Sequence, residues 1–182
     1  MKFTFGKTAA SFLGIPSDPQ EAIFQALYGI LGEPRIIWDR GGANSYLIRW
    51  YILGKREKGT WREKLPFNIF LHEFRLSDDA GDLHSHPFQW SVALVLYGGY
   101  IEERRVGDRV ETRRVTPPSI NIIRGDDYHR VDLIKNSAWS LFIAGPHTED
   151  DNWHFWDRIT KRKAQWLDYV QSRREGREPL WR

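Results

Sequence analysis

Between about residue 36 and residue 146 the chain is a succession of short segments rich in Val, Ile, Tyr, Phe and Trp, each broken by Gly, Pro, Asp or Asn. No helical stretch interrupts them. This texture constrains the fold more than any other feature. It predicts strands near 45–53, 67–76, 89–96, 100–106, 109–115, 120–123, 129–133 and 139–144. Turn signals separate them: Ser77-Asp78-Asp79-Ala80-Gly81, Gly98-Gly99, Gly107-Asp108, Pro117-Pro118 and Lys135-Asn136. Many short strands without crossover helices bury their apolar faces only as a sandwich or barrel.

The flanks read differently. Ile23, Phe24, Leu27, Ile30 and Leu31 recur at helical spacing over 17–32, with Ser17 or Asp18 as cap and Gly32 as stop. After residue 152 come Trp153, Phe155 and Trp156, and then a helix expected to run from about 157 to 173 on Trp166, Tyr169 and Val170. The expected organisation is an N-terminal helical extension (1–35), a β-barrel (36–146) and a C-terminal aromatic segment with a basic helix (147–182). Together they make one compact domain, the size that 182 residues allow. The net charge of +3 belongs to the tail, since residues 161–182 alone balance to +4. A solvated helix face accounts for that charge, so nucleic acid is not an expected partner. With few apolar anchors, residues 174–182 are expected to be dispensable for folding. The absence of Cys excludes disulfide and thiolate chemistry and fits a cytoplasmic setting. No apolar run is long enough for a membrane helix, and the first residues lack a secretory signal pattern.

Chemistry concentrates in the histidines. His84 and His86 flank Ser85, and in an extended chain residues two apart point to one side. His129 follows a turn at the start of a later strand, which a rolled barrel can bring alongside. Three convergent imidazoles bind Fe(II), Zn, Ni, Cu or Mn and leave positions open for water or substrate. Two surface or core histidines are the plainer reading of an isolated pair. The strongly apolar strand Val92–Leu96 and the Gly98-Gly99 turn behind the pair favour the metal.

These residues resemble the cupin superfamily. Its first motif runs HxH, a short gap, Glu and then Gly; here His84-Ser85-His86 is followed by Gly98 at the longer spacing. Its second motif has a proline turn, a strand, a Gly-containing loop and His; here stand Pro117-Pro118, 120–123, Gly125 and His129. The resemblance covers roughly 65–145. It implies a mainly β fold, a double-stranded β-helix or jelly-roll barrel with a helix at each end, holding one divalent transition metal on His84, His86 and His129. The chain departs from the pattern where the ligating Glu belongs. Trp90 or Ser91 fills that slot, and Trp90 shares the expected inward parity of the two histidines. A three-histidine site resembles the thiol dioxygenase and diketone-cleaving branches.

Alternation suggests further pocket residues. His72 shares a face with Phe70, Phe74 and Leu76, which is expected to point inward. Tyr100, Glu102 and Arg104 share one face of the next hairpin and, if inward, supply a hydroxyl, a carboxylate and a guanidinium for catalysis; an exposed ion-paired hairpin is the alternative. Arg104 or Arg124 could hold a carboxylate or phosphate. The expected function is a metal-dependent enzyme, an Fe(II) oxygenase acting on a small molecule, with Zn, Ni or Mn as other metals and a homodimer as one assembly. The alternatives are a non-catalytic small-ligand-binding module and a metal-free sugar-nucleotide epimerase or isomerase using His72 and Tyr100.

Overall fold

The computed structural model describes residues 19–39, 41–54, 65–78, 81–148 and 153–182. The chain divides between Pro34 and Arg35 into two compact units. The first contains helix α1 (Pro19–Leu31), which Gly32 ends in the left-handed region with its N–H on the Tyr28 carbonyl. The expected caps Ser17 and Asp18 lie outside the described residues.

The second unit is two six-stranded antiparallel sheets. One has the order β1 (Arg35–Trp38), β2 (Ser45–Leu53), β3 (Asn68–Phe74), β10 (Ala138–Ala144), β5 (Trp90–Tyr97), β8 (Ser119–Arg124). The other has the order β12 (Lys163–Gln165), β11 (His154–Trp156), β4 (Leu83–His84), β9 (His129–Leu133), β6 (Tyr100–Val106), β7 (Arg109–Val115). The eight expected strands are all present, each bounded by the turn residues that the sequence marks. Val95 and Ala138 of the first sheet cluster with Tyr100, Val115 and Val131 of the second, so the sheets pack face to face. Phe70, Ala93, Ile123, Phe142 and Ala144 extend that core, joined by Phe88 from the turn before β5. Gly98 and Gly99 both have positive φ in the tight β5–β6 turn, and a Cβ on Gly98 would strike the Ser137 backbone. The architecture is mainly β, a barrel of two antiparallel sheets as the sequence leads one to expect.

The C-terminal segment corrects the expected long helix. Residues 157–162 turn, with Lys161 at φ 61°, and β12 returns to pair with β11. Only α2 (Trp166–Glu175) is helical, capped by the Gln165 side chain, which accepts from Leu167 N and Asp168 N. Its Tyr169 ring stacks on Phe155 at 3.9 Å. The tail also has more anchors than the sequence suggests. Arg182 exchanges two backbone hydrogen bonds with Lys163, Leu180 N donates to Asp168, and Trp181 sits edge-on to Tyr169 at 5.7 Å. No helix among the described residues is long and apolar enough to cross a membrane.

Candidate metal centre

His84 ends β4, His86 lies two residues beyond it, and His129 opens β9. Strands β4 and β9 pair at one point, His84 opposite His129, which is what brings residues 45 positions apart together. Ring centroids are 5.2 Å apart for His84 and His86, 5.0 Å for His84 and His129, and 5.0 Å for His86 and His129. One ligating nitrogen from each ring lies within 4.8 Å of the others. The Nε2 atoms of His86 and His129 are 2.8 Å apart.

That arrangement fits a cation. Each ring offers one nitrogen to a shared divalent transition metal, and the 2.8 Å between the Nε2 atoms of His86 and His129 would set those two donors side by side on it. Without a metal the same separation is that of one ring donating to the other. Burial pushes the His86 ring toward its neutral form, and the neighbouring His129 and His84 reinforce it.

Glu102 stands behind His129. Its Oε1 accepts from His129 Nδ1 at 2.8 Å, which keeps the ring proton on Nδ1 and turns the Nε2 lone pair toward the other two rings. Glu102 is fully buried. Burial alone would raise its carboxyl pKa; hydrogen bonds from His129, Asn121 and Arg104 outweigh it and hold the group well below the usual carboxylate range. Arg104 reaches Oε1 at 2.9 Å, Arg113 reaches Oε2 at 2.5 Å, and Asn121 Nδ2 donates to both Oε1 and the Tyr100 hydroxyl at 3.0 Å. Burial pushes the Tyr100 hydroxyl up to about 12. Tyr100, Glu102 and Arg104 therefore share the inner face, while Glu103 faces outward onto Arg130 and Arg158. His84 has Asp78 Oδ2 3.8 Å from its Nδ1, beyond hydrogen-bond range.

His72 also points inward, between Phe70, Phe74 and Phe142. Its Nε2 accepts from Arg49 Nε at 2.9 Å, so it is not one of the converging ligands. Trp90 and Arg124 correct the sequence expectation. They pair across β5 and β8 on the outer face, both exposed, with Trp90 packed over Gly145. The reason is a slip in alternation: Phe88 points inward, Gln89 and Trp90 both point out, and Ser91 resumes the inner face at 1% exposure. Ser91 thus occupies the inward slot of the missing Glu, and its hydroxyl has no hydrogen-bond partner. His147 and His154 stay outside the trio; His154 is a β11 residue whose backbone bonds Ser85.

Three functional neighbours escaped the sequence reading: Arg49, Arg113 and Asn121. Two carried a signal. Arg49 is a lone charge within Tyr46–Tyr51, and Asn121 is a lone amide within Ile120–Ile123, each on an inward parity.

No family model and no curated protein sequence matches the chain. Among solved structures it is similar to hydroxypropylphosphonic acid epoxidase from S. wedmorenis, at 9% identity over 63% of this chain and 56% of that one, with a TM-score of 0.46. KdgF from Halomonas sp. is similar at 16% identity over 59% of this chain and 87% of that one, with a TM-score of 0.43. Ectoine synthase from P. lautus is similar at 12% identity over 61% and 72%, with a TM-score of 0.43. The chain spans about half the length of the epoxidase.

Proposed function

We propose that the barrel is a three-histidine metal enzyme acting on a small molecule, with Fe(II)-dependent oxygenation as its chemistry. The observation that carries this is the 2.8 Å approach of His86 Nε2 and His129 Nε2 with Glu102 fixing the His129 tautomer. Fe(II) held there would supply electrons to O2 and coordination positions for a chelating substrate. The chain's own part is to keep His86 neutral by burial, to hold the His129 proton at Nδ1, and to exclude bulk water with Phe142 and Phe155 around the rings.

The metal-free epimerase reading finds less support. It needs His72 as base and Tyr100 as acid. The His72 Nε2 lone pair is occupied by Arg49, and the Tyr100 hydroxyl is engaged by Asn121 in the Glu102 network. Protein purified without chelator should carry about one transition metal per chain. Loaded anaerobically with Fe(II), it should consume O2 in step with a small-molecule substrate. Metal-free protein that cannot be reconstituted by Fe(II), Ni, Mn or Zn would overturn the reading. Metal retention with no O2 uptake across a broad panel of small molecules would leave the binding module in its place.

A further inference from the structure

Arg49 is a half-buried cation on the inner face of β2 that no anion among the described residues answers. It stands opposite His72 across β2 and β3, on the face that carries Phe70 and Phe142 into the core. Its guanidinium carbon lies 4.7 Å from the centre of the Phe70 ring. Its Nε donates to His72, and the neighbouring Tyr51 hydroxyl favours its charged form. Among the described residues no carboxylate pairs with it. The other inward-reaching arginines, Arg104 and Arg113, both end on Glu102. Burial weakens the charged form and brings the Arg49 pKa down to about 10.

His72 adds a second unmet donor on the same wall. Because its Nε2 accepts from Arg49, its ring proton lies on Nδ1. That nitrogen has no partner although the residue is only 2% exposed. The wall adjoins the metal centre through one ring: Phe142 lies 4.8 Å from His72 and 6.1 Å from His86. A planar guanidinium that no carboxylate among the described residues engages is the side chain best shaped to fork onto an oxyanion, and low-dielectric surroundings strengthen that pairing.

We propose that Arg49 anchors the oxyanion of a small acid, a carboxylate or a phosphate group, bound inside the barrel beside the three histidines. The proposal deepens the metal-enzyme reading and rests on it for where the other end of the ligand goes. The anchor itself depends only on Arg49 and its surroundings.

The test titrates acetate and inorganic phosphate separately into as-isolated and chelator-treated protein, against chloride at matched ionic strength. Binding is read by calorimetry and by the Arg49 Nε–H resonance. Saturable binding of one probe, with the resonance moving at the same midpoint, is expected; which probe binds tells carboxylate from phosphate. Arg49→Gln should weaken binding by about tenfold or more and leave metal content unchanged. Arg49→Lys, which keeps the charge and loses the fork, should fall between. Equal binding by Arg49→Gln, or a resonance that stays fixed at saturating probe, overturns the proposal. If Arg49→Gln does not fold, the wild-type resonance decides. Arg49-dependent binding in a protein that takes up no metal would refute the metal centre and leave the anchor standing. Metal uptake with neither probe binding would do the reverse.

Discussion

Two histidines inside this barrel are each backed by an arginine, and the difference between them is a carboxylate. His129 donates a hydrogen bond from Nδ1 to the Glu102 carboxylate, whose charge Arg104 and Arg113 balance. His72 accepts a hydrogen bond directly from Arg49, with nothing acidic between. The first arrangement is closed: every charge has its partner, and the product is one ring fixed in tautomer and direction. The second is open, and it leaves a cation facing the interior. A buried cation is tolerated without a counter-charge only at a cost of a few kcal/mol, which a ligand's anion removes. One wall of the barrel is thus built to position a ligand atom of the protein, the other to receive one from outside.

Breaking the closed side should have the largest effects. His86→Ala removes one of the two nitrogens that approach to 2.8 Å. Metal content should fall from about one per chain to near zero by elemental analysis, with the fold intact by circular dichroism. Glu102→Gln keeps the shape and loses the charge. Metal affinity should drop about 10- to 100-fold. Stability should fall by about 3 kcal/mol, because Arg104 and Arg113 lose their shared partner. Unchanged metal affinity in that variant would show that His129 needs no orienting group.

The open side should respond less. His72→Phe fills the same space among Phe70, Phe74 and Phe142 but offers Arg49 no acceptor. It should cost about 1–2 kcal/mol in chemical denaturation and leave metal content alone. A metal loss equal to that of Glu102→Gln would erase the distinction between the two walls. The smallest effect belongs one residue along β6, outside the barrel. Glu103 is held below its ordinary range by the hydrogen bond from Arg158, against the opposing pull of burial, with Arg130 adding to the effect. A depressed carboxylate contributes stability that is present above its ordinary pKa of 4.5 and is lost as the pH falls through its folded value. Glu103→Gln should therefore cost about 1 kcal/mol at pH 7, with the gap to wild type closing in acid and metal binding unaffected at both.

Much of this was legible beforehand, for identifiable reasons. Strands β2, β3 and β5 to β10 announce themselves because each is a run of five residues or more, rich in β-branched or aromatic residues or joined by a short Gly turn, between turn residues. Strands β1, β4, β11 and β12 are two to four residues long and owe their conformation to a partner, which no local pattern records. The three histidines were legible because the same-side rule for residues two apart holds across His84–His86. The same rule failed four residues later, at Trp90, where two successive outward residues shift the phase. Arg104 and Glu102 could be placed on one face and were expected to serve catalysis directly; their place behind His129 was not legible, since it is set by Asn121, Arg113 and His129 arriving from three other strands.

The shortest of those strands has a consequence for how the protein is made. β4 is two residues long and carries His84, yet it is held from both sides, by β9 at His129 and by β11 at Phe155 and Trp156. Ser85 is pinned as well, its N–H on the His154 carbonyl at 2.9 Å and its hydroxyl accepting from His154 N at 2.9 Å. Asp82, just before the strand, takes the hydroxyl of Tyr169 from α2. A nascent chain can close most of both sheets once residue 144 has left the ribosome, but the loop bearing His84 and His86 has no second rail until residues 154–169 follow. The three histidines of the proposed site therefore depend on a segment that lies beyond the last strand of the other sheet, and the rail that steadies His84 is among the last parts of the barrel to be synthesised.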